Sequence, residues 1–263
     1  MPMDISLVIP AYNEEHYLAA CLDSVLKNAT NRLLEIIVVD NGSTDRTAEV
    51  AGRYAGVRVV HEATLGVTYA KQRGLAEAKG SLVAFIDADT LMPEGWIDIV
   101  EQTFSAGKDV ACLSGPYRYY DGSRMARGFL NTLNQYALPF WNLFYGHMLI
   151  GGNFVAKKAV LDEVNGFSLT IDFWGEDSDL GRRIAANKKN KFVFRRDFNV
   201  GSSVRRFEAE GLVNTCLVYS VNYLWVVFLH RPYSTAHANV RPAPELAGVS
   251  APTPASHDPA RPA

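Results

Sequence analysis

The chain has 263 residues, of which 48% are hydrophobic and 21% charged, a composition typical of a globular protein with a sizeable core. The formal net charge of -2 gives no long-range attraction to nucleic acid, so we expect no DNA or RNA partner. Cys21, Cys112 and Cys216 are odd in number and form no CxxC pair or Cys/His cluster, so they indicate neither a disulfide framework nor a zinc site and fit a reducing compartment best.

The N-terminal half alternates short apolar runs with amphipathic stretches. The chain runs directly into a buried strand at Ile5–Ile9, without the basic and long apolar regions of a secretory signal, so we expect a cytoplasmic protein. Apolar residues at helical spacing then predict a helix from about Glu14 to Asn28. A second strand follows at Glu35–Asp40, and Ser43 is placed to cap the next helix.

The same alternation continues to Ser114. Further strands are predicted at Val57–His61, Leu82–Asp87 and Val110–Ser114, with helices between them near Thr68–Lys79 and Gly95–Ala106. Strands that alternate with helices at this spacing predict an α/β fold with a mostly parallel central sheet and helices on both faces. In such sheets, ligands bind beyond the carboxyl ends of the strands.

Three later segments depart from this pattern. Phe129–Ile150 is rich in aromatic residues, and within it Phe129–Tyr145 is either a plain core helix or the wall of an acceptor cleft. Leu212–Leu229 contains 18 residues, the lower limit for crossing a bilayer, but its polar residues favour an amphipathic helix on the core or at a membrane surface. The residues from Pro232 onward hold seven of the twelve prolines and predict a disordered Pro/Ala-rich tail. The chain is thus divided into a domain at 1–210, a helix at 211–231 and a tail at 232–263.

Polar residues lie at the ends of three predicted strands. The first strand leads into Pro10-Ala11-Tyr12-Asn13-Glu14-Glu15, the second into Asp40-Asn41-Gly42-Ser43-Thr44-Asp45, and the fourth into Asp87-Ala88-Asp89. Each group taken alone is more often a helix cap or a turn than a site. Because the carboxyl ends of adjacent parallel strands lie at one edge of a sheet, however, we expect the three groups to converge there.

Asp87-Ala88-Asp89 is the strongest candidate for a metal site. Residues two apart in an extended segment point the same way, which brings the two carboxylates together. A hard divalent cation with oxygen ligands, such as Mg²⁺ or Mn²⁺, would relieve their repulsion and keep coordination positions open for diphosphate oxygens. A pair of aspartates at this spacing also occurs by chance in surface loops.

The second half of the chain adds an acidic pair. Gly175-Glu176-Asp177 precedes a helical run at Leu180–Ala186, and its plain interpretation is an acidic helix N-terminus stabilised by the helix dipole. The functional interpretation is a carboxylate that acts as general base on an acceptor hydroxyl. Upstream, Gly151-Gly152-Asn153 is either a simple turn or a place where the backbone approaches a bound ligand closely.

Taken together, these groups resemble a known family. Pro10–Glu15, Asp40–Asp45, Asp87–Asp89 and Gly175–Asp177 occur in the order seen in family 2 inverting glycosyltransferases of the GT-A fold. The resemblance covers residues 4 to 200 and implies that the domain at 1–210 is a nucleotide-diphospho-sugar transferase of that fold. In these enzymes an acceptor hydroxyl displaces the nucleotide at the anomeric carbon in one step, with inversion.

The resemblance also implies a donor site. Asp40 would hydrogen-bond the nucleotide base, Asp87 would contact the ribose or the sugar, and Asp89 would bind Mn²⁺ or Mg²⁺ at the diphosphate. The pocket for base and ribose would be lined by residues that follow the first strand, namely Pro10, Tyr12 and Glu14, and Ala88 would lie in the same site.

On the acceptor side, the resemblance makes Asp177 the general base, with Glu176 supporting it or contacting the acceptor. The base would make the acceptor hydroxyl more nucleophilic by accepting its proton, and the cation would stabilise charge on the leaving diphosphate. Arg205 and Arg206 lie in a stretch like the loop that closes over the diphosphate in related bacterial members. Both are suited to phosphate oxygens, and the plain alternative is a solvated basic turn.

The sequence departs from the family pattern in two places, and these bear on the role of Lys71 and on the number of sugars added. Many members carry Ala-Arg-Asn before the metal strand, whereas this chain has Ala70-Lys71-Gln72, so Lys71 would supply positive charge near the nucleotide without a bidentate contact. The Gln-x-x-Arg-Trp motif of processive members is absent from the sequence, which favours a single addition over polymer synthesis.

The resemblance therefore implies a sugar donor with a nucleotide diphosphate, UDP by default, and a carbohydrate or lipid-linked acceptor used for cell-surface glycan or glycolipid synthesis. Peripheral contact with the inner face of the plasma membrane is a further hypothesis.

Two alternatives to this function stay open. A nucleotidyltransferase would usually carry a Gly-rich basic loop, which Pro10–Glu15 is not. A non-catalytic nucleotide-sugar-binding protein is the other, and the presence of both Asp89 and Asp177 argues against it.

Overall fold

The computed structural model describes residues 3–171, 175–229 and 233. Strands and helices alternate in its first half, with bounds β1 Ile5–Ala11, α1 Leu18–Lys27, β2 Leu33–Asp40, α2 Thr47–Gly52, β3 Val57–His61, α3 Val67–Glu77, β4 Leu82–Ile86, α4 Trp96–Ala106 and β5 Val110–Ser114. The later elements are β6 Tyr117–Tyr119, α5 Arg124–Thr132, a π-helical turn Leu133–Ala137, α6 Leu138–Tyr145, β7 Asn153–Lys157, α7 Lys158–Glu163, α8 Glu176–Ala185, β8 Lys191–Phe194, β9 Val200–Ser202, α9 Arg205–Glu210 and α10 Leu212–Leu229.

Within the described residues, seven strands form one sheet in the order β3-β2-β1-β4-β7-β5-β8. Strands β3, β2, β1 and β4 run parallel, as do β5 and β8, whereas β7 is antiparallel to both of its neighbours. The predicted α/β fold with a mostly parallel sheet is therefore confirmed. The sequence pattern did not predict β7, and β6 and β9 form a separate parallel pair.

Helices cover both faces of the sheet, as predicted. Every residue of β1 is buried, because alternate side chains enter different cores. Leu7 packs in the cluster that contains Leu22 of α1, on one face. Val8 packs in the cluster that contains Leu75 of α3 and Leu180 of α8, on the other. A sheet buried on both faces leaves its strand ends and loops as the places for polar groups.

Two local predictions in the first loops are wrong. Ser43 does not cap α2, which begins only at Thr47 and has no side-chain cap. The Ser43 hydroxyl instead accepts a hydrogen bond from the backbone N–H of Asn13 at 3.0 Å and so joins the two loops. The first helix begins at Leu18 and not at Glu14, because the backbone carbonyl of Glu14 closes a turn with the N–H groups of Tyr17 and Leu18.

The C-terminal elements build a small third core beside the sheet. Leu130 of α5 and Cys216 of α10 pack in one cluster with Tyr119 and Phe207. The predicted helix at Leu212–Leu229 is present as α10, and no helix in the described ranges is long and apolar enough to cross a membrane. The predicted tail at 232–263, except Tyr233, and the last two residues of the predicted helix at 211–231 lie outside the described residues.

Candidate active site

Gly151 and Gly152, directly before β7, connect two carboxylates that belong to different sequence motifs. The N–H of Gly151 donates to Oδ2 of Asp177 at 2.9 Å. The N–H of Gly152 donates to the hydroxyl of Tyr117 at 2.9 Å, and that hydroxyl donates to Oδ2 of Asp87 at 3.0 Å. The carboxyl end of β4 and the start of α8 therefore meet at two consecutive peptide groups.

Glycine is required at both of these positions by the side chains that surround them. A Cβ atom on Gly152 would lie 2.0 Å from Oδ2 of Asp87 and 2.4 Å from the hydroxyl of Tyr117. A Cβ atom on Gly151 would lie 2.9 Å from Nζ of Lys71 and 3.2 Å from Oδ2 of Asp177. Of the two alternatives predicted for these glycines, the turn is present, since the N–H of Asn153 donates to the carbonyl of Ile150 at 2.8 Å. The space that a Cβ atom would need is taken by polar groups of the protein itself.

Asp177 is held in place by two backbone donors. It lies in the first turn of α8, whose preceding residue Gly175 has a φ of 89°, a conformation that favours glycine. Oδ1 accepts from the N–H of Ser178 at 2.6 Å, while Oδ2 accepts from Gly151. Burial raises the pKa of the Asp177 carboxyl to about 6, and the charge of Glu176 adds to this, whereas Lys71 and the two backbone bonds oppose it.

Glu176 forms a buried ion pair with Lys71 of α3. Nζ of Lys71 lies 2.7 Å from Oε1 of Glu176, and both side chains are shielded from solvent. Burial alone would lower the pKa of the Lys71 ammonium, but the charges of Glu176, Asp87 and Asp177 outweigh it and raise that pKa above its ordinary value. Lys71, predicted to supply charge near the nucleotide, thus has its ammonium bound to the acidic pair of α8.

A second buried ion pair lies at the end of β1. Nη1 of Arg205 is 2.8 Å from Oε2 of Glu14, and Nε is 3.0 Å from Oδ2 of Asp89, with the guanidinium stacked 4.6 Å from the centre of the Tyr17 ring. Burial raises the pKa of Glu14 to about 7, and Arg205 opposes the shift. Burial also raises the pKa of Asp89, Arg205 again opposes it, and the charge of Asp87 adds to it.

The donor set at Asp89 fits a divalent cation bound partly by a ligand. Among the described residues, no three His, Cys, Asp or Glu side chains form a ready-made metal cage. Mg²⁺ and ions like it are commonly held by one or two carboxylates plus phosphate oxygens and water, so a complete protein cage is not needed. Asp89 is half-buried near the negative charge of Asp87, and the guanidinium of Arg205 offsets that charge.

The other predicted donor residues lie at the same ends of β1, β2 and β4. Pro10 and Ala88 are buried, and Tyr12 is half-buried. Oδ1 of Asp40 accepts from the N–H of Ser43 at 3.3 Å, and Oδ2 lies 3.2 Å from Nδ1 of His61. Arg206, the second predicted phosphate ligand, forms an ion pair with Glu210 at 3.5 Å on its own helix, α9.

Three residues in this region have structural roles that no sequence motif assigns to them. Asn13 has a φ of 55°, and its side-chain carbonyl accepts from the N–H of Thr44 at 2.6 Å, which ties the β1 loop to the β2 loop. An Asn in a turn that needs positive φ was the available clue. Tyr117 and Tyr219 had none, because their roles arise from tertiary contacts.

Helix α10 reaches the residue that precedes α8. A Cβ atom on Gly175 would lie 2.5 Å from a methyl group of Val226. Tyr219, on the same helix, is 43% exposed, and the centre of its ring lies 6.1 Å from that of Phe207. The C-terminal helix therefore packs against the segment that carries Glu176 and Asp177.

Sequence comparison finds similarity to known glycosyltransferases. Glycosyltransferase GlyG of Streptococcus pneumoniae is 36% identical over 124 residues, which is 45% of this chain and 40% of that protein. The uncharacterized glycosyltransferase YibD of Escherichia coli is 40% identical over 89 residues, 32% of this chain and 26% of that protein. The chain thus spans less than half the length of these relatives.

Solved structures share the fold at low identity. Glucosyl-3-phosphoglycerate synthase from Mycobacterium tuberculosis, in complex with Mn²⁺, UDP and phosphoglyceric acid, matches with a TM-score of 0.61 at 21% identity over 86% of this chain and 78% of that one. The mannosyltransferase PcManGT from Pyrobaculum calidifontis, in complex with GDP-Man and Mn²⁺, gives 0.61 at 23% identity over 80% and 62%. At these identities the likeness shows the fold.

Two family models match the sequence. One, described as the N-terminal domain of galactosyltransferase, matches residues 135–207. The other, glycosyl transferase family 2, matches residues 6–164, which is more than half of the chain and includes both β4 and the glycines before β7. On this match and the shared GT-A fold, the protein belongs to glycosyltransferase family 2.

Proposed function

We propose that the protein is an inverting, single-addition glycosyltransferase that moves a sugar from a nucleotide-diphosphate donor, with UDP as the default, to an acceptor hydroxyl. The observation that carries the proposal is the pair of contacts at Gly151 and Gly152, which brings Asp87 and Asp177 to one place. Among the structural neighbours, one holds UDP with Mn²⁺ and another holds GDP-Man with Mn²⁺, so donors with either nucleotide are candidates.

Asp177 is the proposed general base. Its carboxylate would take the proton of the acceptor hydroxyl as the hydroxyl oxygen bonds to the anomeric carbon. The bond to the diphosphate breaks on the opposite face, and the nucleotide leaves with the electron pair. The bonds from Gly151 and Ser178 fix the carboxylate, and a pKa of about 6 leaves it charged near neutral pH while raising its proton affinity. Glu176, paired with Lys71, supports this position.

The donor side of the proposal centres on Asp89. Its carboxylate would hold Mn²⁺ or Mg²⁺, an ion that stabilises charge on a leaving diphosphate when bound. Asp87, fixed by the Tyr117 hydroxyl, would contact the ribose or the sugar. Arg205 and Arg206 would turn to phosphate oxygens once the diphosphate is present. The remaining donor pocket would be lined by Pro10, Tyr12, Glu14, Asp40 and Ala88.

The acceptor is proposed to be a carbohydrate or a lipid-linked compound, used for cell-surface glycan or glycolipid synthesis on the cytoplasmic side of the plasma membrane. Exposed aromatic side chains along α5 and α6, such as Phe129 and Trp141, support a cleft wall with affinity for sugar rings or lipid chains. The galactosyltransferase model that matches residues 135–207 covers part of the same segment.

A screen of nucleotide sugars tests the proposal directly. Thermal unfolding is measured with UDP-glucose, UDP-galactose, UDP-N-acetylglucosamine and GDP-mannose, with and without Mn²⁺, together with slow hydrolysis of each donor. We expect a Mn²⁺-dependent rise in melting temperature with at least one donor. Asp89→Ala should lose that rise, and Asp177→Asn should keep it. The absence of any Mn²⁺-dependent rise, or pyrophosphate release from a nucleoside triphosphate and a sugar phosphate, would overturn the proposal.

A further inference from the structure

Two neighbouring helical segments carry most of the large apolar side chains that are exposed in the described residues. On α5 and α6, Met125 is 88% exposed and Leu143 is 81% exposed; on α10, Val213 is 72% exposed. Single exposed apolar residues are normal on a protein surface, but a contiguous group marks an interaction site. We define the apolar face by its members at helical spacing, Met125, Phe129, Leu143, Val213, Leu217 and Leu224.

The two segments form one region of the surface because they share the small third core. Leu130 of α5 packs with Leu212 and Cys216 of α10 around Tyr119. The ring of Phe207 lies 5.5 Å from that of Tyr119 and 6.1 Å from that of Tyr219, measured between ring centres. Each segment buries one set of residues in this core, so the exposed apolar residues of α5, α6 and α10 belong to the same region of the surface.

The helical segments of the apolar face carry arginines and no acidic residue, while Asp121 and Glu208 lie next to the start of α5. The sequence has no Asp or Glu from 122 to 161, where Arg124 and Arg127 begin α5. It has no charged residue at all from 211 to 229. The guanidinium of Arg196 lies 5.4 Å from the centre of the Tyr136 ring beside α5. On the neighbouring α9, Glu208 is exposed and the carboxylate of Glu210 is paired with Arg206.

These charges select the partner. A second copy of the chain could pair through this surface about a two-fold axis. The arginines of one copy would then face the arginines of the other and repel them. A bilayer that contains anionic lipids offers phosphates to the arginines and an apolar layer to the exposed side chains. Tyr136 and Trp225 are of the residue types found at the boundary between the two layers. We infer that the apolar face binds the surface of an anionic lipid bilayer, with α5, α6 and α10 lying in the interface.

Bilayer binding at this face would bring the lipid surface close to the acidic pair of α8, because Val226 of α10 packs against Gly175. Under the proposed function, on which this consequence alone rests, the acceptor would reach Asp177 from the bilayer surface. The binding itself is independent of any sugar transfer.

Sedimentation of the full chain with lipid vesicles tests the inference. One set of vesicles contains phosphatidylglycerol and phosphatidylcholine, and the other contains phosphatidylcholine alone. We expect binding to the anionic vesicles and weaker binding to the neutral ones. The double variant Met125→Glu/Leu143→Glu should bind about tenfold less, or weaker still, because it removes two apolar contacts and adds repulsion from the lipid phosphates.

Leu34→Glu is the matched control, since Leu34 is 52% exposed at the far end of β2 from Asp40. It should bind vesicles as the wild type does. The melting temperature of the same samples reveals a folding defect. The Mn²⁺-dependent rise in melting temperature with a donor tests the proposed function separately from lipid binding. Wild-type protein that stays in the supernatant overturns the inference. So does equal loss in both variants, or a dimer that the double variant dissociates while no vesicles are bound.

Discussion

Arg205 binds Asp89, with Nε of the guanidinium 3.0 Å from Oδ2 of the carboxylate. The same guanidinium binds Glu14, so one side chain from α9 pairs with two half-buried acidic groups at the ends of β1 and β4. Asp89 is also the proposed ligand of the divalent cation. A cation and Arg205 would therefore compete for this carboxylate until a diphosphate offers Arg205 another anion.

Replacing Arg205 should raise the affinity for metal in the absence of donor. We expect Arg205→Gln to bind Mn²⁺ about tenfold more tightly than the wild type, because a charge-assisted contact to Asp89 is removed. Electron paramagnetic resonance of free Mn²⁺ during a titration measures this affinity. Arg46→Gln is the control, since Arg46 pairs with Glu15 and is exposed. Weaker Mn²⁺ binding by Arg205→Gln would show that Arg205 assists the metal site.

Asp177→Asn should separate chemistry from donor binding. The amide keeps the shape of the side chain but cannot accept the proton of an acceptor hydroxyl, so we expect transfer to fall by about 10² to 10⁴. Donor affinity, measured by calorimetry with Mn²⁺ present, should stay close to that of the wild type. A variant that transfers at the normal rate would remove Asp177 from the proposed role.

The rate of transfer should depend on the protonation of Asp177. Its pKa is raised to about 6 by burial and by Glu176, and a general base works only when deprotonated. The rate at saturating donor and metal should therefore rise with pH through about 6 and level off above it. Glu176→Gln removes a charge that raises this pKa, so the acidic limb should move to lower pH. A limb that does not move would contradict the assignment.

Gly152→Ala should disrupt the link between the two carboxylates. Its Cβ atom would lie 2.0 Å from Oδ2 of Asp87, so either Asp87 or the start of β7 must shift. We expect a loss of about 1–3 kcal/mol in unfolding free energy and weaker donor binding. Gly128→Ala in α5 is the control, because nothing lies within 4 Å of its Cβ position and alanine favours a helix. Equal behaviour of the two variants in chemical denaturation and donor titration would contradict the steric argument.

Breaking the buried Lys71–Glu176 pair should lower the unfolding free energy much more than breaking a surface pair. Lys71→Met leaves Glu176 buried without its partner and should cost about 3–5 kcal/mol of unfolding free energy. The double variant Lys71→Met/Glu176→Leu should recover most of that loss, because no charge is then left unpaired. Lys158→Met, which breaks the exposed pair with Asp162, should cost about 0–1 kcal/mol. Urea denaturation checks all three, and a small effect for Lys71→Met would contradict the burial argument.

The strands of the first half could be predicted because each is a short β-branched run between helical patterns, as in Val57–His61. The strand β7 could not, since Asn153–Lys157 is short, follows two glycines and leads straight into α7. Ser43 looked like a helix cap, but a tertiary hydrogen bond to Asn13 uses its hydroxyl. A local sequence window contains no information about such a partner.

The proposed site is predictable to a similar extent. The acidic motifs could be found in the sequence because several of them follow predicted strands, whose carboxyl ends lie at one edge of a parallel sheet. Their partners could not be found there. Lys71 and Glu176, or Tyr117 and Asp87, meet only after the chain has folded, and no spacing rule joins them.

The antiparallel direction of β7 has a consequence for how this scaffold can diversify. Strand β7 runs antiparallel to its neighbour β4, so the first residue of β7, Asn153, pairs with the last residue of β4, Ile86. Under the proposed roles, the ends of β1, β2 and β4 handle the nucleotide, whereas α5 and α6, inserted between β6 and β7, help to form the wall for the receiving molecule. Exchanging α5 and α6 between relatives should then alter which molecule is glycosylated while leaving the choice of nucleotide intact, a modular route to new specificities.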